Sequence, residues 1–167
     1  DTLDFPDNDP VFTSQFYEAY NYLKEHDAAD ELTTLMNDPS CISIVKMPDG
    51  SKDYDQYSRF SKTIFWNPNY GIKTTNGKML SPATGLNHEA DHALQDLKHP
   101  GQYIKDIDPK TGADKQYQKK EEKRVVQGSE QKTAQKLGEI KKGEVTRTDH
   151  GGEYIRVTRP TSTTPAA

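Results

Sequence analysis

The sequence predicts an α+β fold, built on a small mixed sheet and a helix that carries H-E-x-x-H. Three observations lead there. Apolar residues recur at helical spacing over 11–37 and again over 82–97, whereas 41–47 and 62–66 are short β-branched and aromatic runs closed by turn residues. Third, the best-capped of the helices contains His88-Glu89-Ala90-Asp91-His92.

Phe12, Phe16 and Tyr20 repeat at i, i+4 and i+8 and are followed by Leu23, Ala28, Leu32 and Leu35, which makes 11–37 one or two amphipathic helices. Cys41 to Met47 is a strand stopped by Pro48-Asp49-Gly50, with Cys41 as a buried, inert thiol. Lys62 to Trp66 is a second strand, ended by Asn67-Pro68, and 69–80 is a loop or hairpin. Ser81 as N-cap and Pro82 at the first helical position open a helix that runs to Leu97 and stops at His99-Pro100-Gly101. After a polar loop near Asp108, a helix is expected over 113–127, ending at Gly128, and a shorter one over 130–138. Tyr154 to Val157 forms a last strand. Residues 1–160 then make one domain with a helical N-terminal part over 1–40, and the Ser/Thr/Pro tail 161–167 is expected to be disordered.

Composition bounds the function. Leu, Ile, Val and Phe together number 28 of 167 residues, about 17%, so the core is thin and calls for help from a metal, a partner or a parent chain. Nine Tyr and Trp66 add bulk, and a net charge of −4 is too small to expand the chain. No apolar run is long enough to span a bilayer. Beginning at Asp1 rather than Met, the chain reads as a piece of a longer protein, so that any targeting signal would lie upstream. Residues 1–97 carry net −9 and 98–167 net +5, so the two halves should attract each other. The basic residues of 115–142 alternate with Glu121, Glu122, Glu130 and Glu139 and lack an aromatic platform, which excludes a nucleic-acid face in favour of solvated helix surfaces.

The H-E-x-x-H element would arise in roughly one per cent of shuffled chains of this composition. On a helix His88 and His92 project from one face and can deliver two imidazole nitrogens to one Zn2+, with Glu89 placed as general base on an attacking water. Leu86, Ala90, Ala93, Leu94 and Leu97 form the opposite, packing stripe. A catalytic zinc site needs a third protein ligand. The extension that would supply a third His is missing, because Gln95 and Lys98 stand where Gly and His would be needed. A carboxylate on a later helix is the alternative. Glu121, 29 residues beyond His92, shares a helix face with Tyr117 and Val125; Glu130 lines up in the same way with Ala134 and Leu137.

The run Glu121-Glu122-Lys123-Arg124-Val125-Val126-Gln127-Gly128 resembles the E-E-x-x-T-x-G element of clostridial neurotoxin light chains and of bacterial effector zinc metallopeptidases, which include type III effectors and C-terminal toxin domains of Rhs polymorphic toxins. The resemblance covers about 60–151 and includes Ile64 to Pro68 before the motif helix and Arg147-Thr148-Asp149-His150 after it. It implies a zincin-like metallopeptidase fold, zinc bound by His88, His92 and Glu121, and Glu122 orienting a ligand. It further implies hydrolysis of peptide bonds, a protein or peptide substrate, a cognate inhibitor or immunity protein as partner, and secretion or delivery as an effector. The chain departs from the family in having Val125 for Thr, Asp91 for an apolar residue, and His150 for the Tyr of Arg-x-x-Tyr. Arg147 is expected to stabilise the oxyanion; His150 could join it, bind the metal, or cap the turn at Gly151-Gly152. A zinc amidohydrolase or deamidase, and a zinc-stabilised binding domain, are the competing classes; Glu89 favours catalysis, since a closed structural site needs no carboxylate at an open position.

Overall fold

A computed structural model describes residues 2–167. Asp9 caps the first helix, α1 (Pro10–Glu25), by accepting the N–H groups of Val11 and Phe12, and α2 (Asp30–Met36) follows a short turn. The strand β1 (Ser43–Lys46) is parallel to β3 (Thr63–Trp66), and β2 (Gln56–Ser58) lies antiparallel on the far edge of β3, so this mixed sheet has the order β1-β3-β2. Next come the hairpin strands β4 (Tyr70–Lys73) and β5 (Met79–Leu80), then α3 (Pro82–Lys98) and α4 (Pro100–Ile107). A two-stranded ribbon, β6 (Ala113–Asp114) and β7 (Gln118–Lys119), leads into α5 (Lys120–Val125), a π-helical turn over Val126–Glu130, and α6 (Gln131–Lys136). The last strand, β8 (Glu153–Arg156), pairs with β4 to complete an antiparallel sheet of order β5-β4-β8. Among the described residues no helix is long and apolar enough to cross a membrane.

Helix α3 is the centre of the molecule. Ser81 accepts the N–H of Thr84 and Pro82 occupies the first turn, as the sequence predicts. Phe12, Phe16 and Leu23 of α1, Leu32 and Leu35 of α2, Ile44 of β1, and Ile64 and Trp66 of β3 form one core with Leu86, Ala90 and Ala93 of α3. The Trp66 indole N–H donates to the Pro82 carbonyl at 2.8 Å, tying the mixed sheet to the start of α3. The Asn87 amide accepts from Leu32 N–H and donates to Glu31 and Thr133, which fastens α2 and α6 to α3. Near the other end, buried Asp96 accepts from the Tyr57 hydroxyl at 2.7 Å, Arg59 Nε at 2.8 Å and Lys62 Nζ at 2.8 Å.

Several expectations are corrected. The strands make two small sheets and a ribbon, and β2 was not anticipated. Cys41 is exposed at φ 56°, two residues before β1 starts, because Asp38 accepts the N–H of Ser40 and the chain is still turning there. Pro100 ends α3 but also opens α4, taking the first helical position where its missing N–H costs nothing. The expected helix over 113–127 starts only at Lys120, because the Asp114 carboxylate accepts the N–H groups of Gln116 and Tyr117 and holds the ribbon turn. The tail 161–167, expected to be disordered, folds back along the chain: Pro165 bridges Val157 and the Ala166 N–H donates to Arg156 O. The attraction between the two charge halves is visible in Arg159–Glu18 at 2.9 Å, Arg124–Asp91 at 3.1 Å and Lys136–Asp27 at 3.8 Å.

Asp96→Ala removes the acceptor of three donors at once. Since Arg59 and Lys62 stay about 40% exposed, the expected loss is about 2 kcal/mol rather than the roughly 3–5 of a fully buried pair, measured as a lowered urea midpoint with unchanged slope.

Candidate metal centre

His88 and His92 lie one turn apart on α3, both at least 95% buried. This face of α3 is covered by α5, the turn Val126–Glu130 and the segment Thr146–His150, which with it enclose a cavity. On this side each imidazole has two different neighbours. His92 Nδ1 lies 2.6 Å from Glu121 Oε2, and His88 Nδ1 lies 2.9 Å from Glu130 Oε1. In a neutral ring these carboxylates fix the tautomer, with the proton on Nδ1 and the lone pair on Nε2. The two Nε2 atoms then meet 3.1 Å apart, and Glu122 Oε1 sits 3.0 Å from one and 2.7 Å from the other.

Three lone-pair donors this close repel unless a proton or a metal cation lies among them. Metal–nitrogen bonds of about 2.0–2.1 Å at tetrahedral angles would set ligand atoms roughly 3.3 Å apart. His88, His92 and Glu122 meet that spacing with little adjustment, and they are the one such group among the described residues. Glu122, not Glu121, stands with the two Nε2 atoms, whereas Glu121 and Glu130 hold the Nδ1 side of each ring.

Charge around the site is ordered by the same contacts. Burial opposes a charge on His88, but Glu122, Glu130 and Glu89 outweigh it and push its pKa up to about 9; His92 is likewise raised. Burial alone would raise Glu122, yet His92 and His88 hold it well below the usual carboxylate range. Burial pushes Glu89 up. Glu130 is held down to about 2, against burial, by Arg147 and His88. Its carboxylate accepts from Thr146 Oγ1 at 2.7 Å and Arg147 Nε at 3.1 Å. Glu121 is lowered, again against burial, by His92 and Arg124, whose guanidinium also reaches Asp91.

The remaining predicted residues fall around this cluster. Glu89 Oε2 is 3.9 Å from His88 Nε2, beside the donor set rather than within it. Arg147 is buried against Glu130. His150 Nε2 faces Glu122 Oε2 at 3.4 Å, while the turn at Gly151 is held by Asp149, so His150 does not cap it. All of them, with both imidazoles, line a cavity of about 500 Å³ whose other walls are the segment Lys52–Tyr57, strand β4 and Tyr154. The sequence reading missed Asp55 and Tyr154 in this cavity, and Arg124 behind it. Asp91, noted only as a departure, is the signal that could have found Arg124, since a buried acid on α3 requires a cation.

No family model, curated protein or solved structure matches the chain.

In metal-free protein the site should be most stable near pH 5–6. Glu130 contributes, on the order of 3 kcal/mol, above about pH 4.5 and loses this as pH falls toward 2. His88 contributes similarly below about pH 6.5 and loses it as pH rises through about 9. A bound dication replaces the imidazole protons, so metal-loaded protein should keep its stability over pH 7–9 where chelated protein loses it. Melting curves with and without chelator over pH 4–9 measure both limbs; coincident curves over pH 7–9 would refute the assignment.

Proposed function

We propose that the chain is a zinc-dependent metallopeptidase, the toxin or effector domain of a larger secreted protein. One observation carries the metal: the Nδ1 side of both buried imidazoles is committed to carboxylates while their Nε2 atoms meet 3.1 Å apart beside Glu122. Two imidazoles and one carboxylate favour zinc over magnesium or calcium, which prefer all-oxygen shells. Three protein ligands with Glu89 alongside match a catalytic site rather than a closed structural one. When bound, zinc supplies Lewis acidity, polarising a scissile carbonyl and making water more acidic.

The chain's own groups account for the rest of the chemistry. Glu89, its basicity raised by burial, takes the proton from the attacking water and delivers it to the leaving amine. Glu130 occupies two of the Arg147 donors, leaving other guanidinium N–H groups for the oxyanion. His150 contributes an imidazole N–H from the other side of Glu122. The zincin-like fold, the effector role, delivery outside the producing cell and a cognate immunity protein follow from the sequence resemblance.

Zinc-loaded protein incubated with a cell lysate, with and without chelator, should generate new protein N-termini only without chelator. Release of ammonia with no new N-termini would instead point to a deamidase. Glu89→Gln should keep its zinc and its fold while losing about two to four orders of magnitude in rate. Glu122→Ala should be zinc-poor as purified and Glu121→Ala less so, measured by metal analysis; the reverse order would return the third-ligand role to Glu121.

A further inference from the structure

In the cavity of the metal centre, the segment Lys52–Tyr57 carries a carboxylate that the proposed chemistry does not use. We propose that Asp55, walled by Tyr54 and Tyr154, is the subsite for a cationic side chain, lysine or arginine, of the peptide substrate; its being a peptide rests on the metallopeptidase reading.

The observations concern compensation. Three other cavity carboxylates have positively charged or chargeable partners: Glu121 has Arg124, Glu130 has Arg147, and Glu122 faces the imidazoles. Asp55 accepts the Asn67 N–H at 3.0 Å, and the Tyr154 hydroxyl bonds it, accepting from its backbone N–H as well. Among the described residues no basic side chain pairs with it, and Lys52, three residues away, is exposed. Burial, with Glu89 as a like charge nearby, pushes the Asp55 carboxyl well up, the mark of a site short of positive charge. A substrate ammonium or guanidinium would supply it.

The carboxylate is also placed beside the reacting groups. A Cβ on Gly85 would lie 3.1 Å from Asp55 Oδ2, so a glycine inside α3 is what allows the close approach. Gly85 is three residues before His88 and four before Glu89, which puts Asp55 over the same face of α3, one turn away. The Tyr54 and Tyr154 rings pack edge to face with centroids 5.0 Å apart, and both line the cavity. A cationic side chain entering there meets π systems along its stem and a carboxylate at its tip.

Binding of uncleavable probes tests the subsite apart from catalysis. Nα-acetyl-lysine N-methylamide and Nα-acetyl-norleucine N-methylamide are titrated into zinc-loaded protein by NMR, and a peptide library is digested in parallel. The lysine probe should bind about tenfold tighter than norleucine, and Asp55→Asn, which keeps an oxygen for the Asn67 N–H, should abolish the difference. Tyr54→Ala should weaken the lysine probe several-fold. The library should show lysine or arginine enriched at one fixed position from the cut. Equal binding of the two probes to the parent protein, or a lysine preference that survives Asp55→Asn, overturns the subsite. If Asp55→Asn fails to fold, the probe comparison on the parent protein and on Tyr54→Ala decides. Cleavage without basic preference sinks the subsite alone; lysine-selective binding without any cleavage supports the subsite and sinks the peptidase reading.

Discussion

Everything around α3 depends on two imidazoles buried one turn apart with their Nε2 atoms facing each other. A buried polar ring is tolerated only when both its nitrogens are satisfied. The Nδ1 atoms impose one demand, met by Glu121 and Glu130; the Nε2 atoms impose another, met by Glu122, in a group of three that could hold a metal ion. With Arg124 and Arg147 paired to Glu121 and Glu130, Glu122 and Glu89 are the negative charges left for imidazole protons or a dication to balance. The stability of the metal-free site is therefore set by pH.

The demand spreads outward along two separate chains of contacts. From His92 it passes through Glu121 to Arg124, Asp91 and Ser129. From His88 it passes through Glu130 to Thr146 and Arg147. Each imidazole is thereby anchored by a different stretch of the second half of the sequence. In a thin-cored protein such polar ties do part of the work that apolar area does elsewhere, and they work only while every member is paired.

Some of this was legible in the sequence and some was not, for identifiable reasons. Helix α3 could be read because its signals are local: Ser81 and Pro82 at the start, the apolar period along it, and His88 and His92 four apart. Strands β1 and β3, helices α1 and α2, and the closeness of Glu130 to the site were legible in the same way. The exchange of roles between Glu121 and Glu122 was not, since adjacent residues differ by 100° on a helix and only the packing angle of α5 on α3 decides which reaches the Nε2 atoms. The ribbon at 113–119 was hidden because Asp114 competes with the helix by binding its own backbone. Asp55 carries no periodic signal at all; its position follows from β2 lying on the edge of β3, a long-range pairing.

The π turn shows why the family-like run ending at Gly128 matters to the chemistry. On a straight helix Glu130 would follow Glu121 by nine residues, or 900°, and would point to the opposite side. Gly128, at φ −105° and ψ −105°, leaves helical geometry and kinks the chain between two helices, through a conformation that residues with a Cβ avoid. Both glutamates can then face α3, with the Ser129 hydroxyl holding the bend to Asp91. Gly128, where the sequence places the end of one helix and the approach to the next, is thus the joint that lets two helices serve two imidazoles, each at its Nδ1, and Asp91, where the resembled family has an apolar residue, anchors that joint through Ser129.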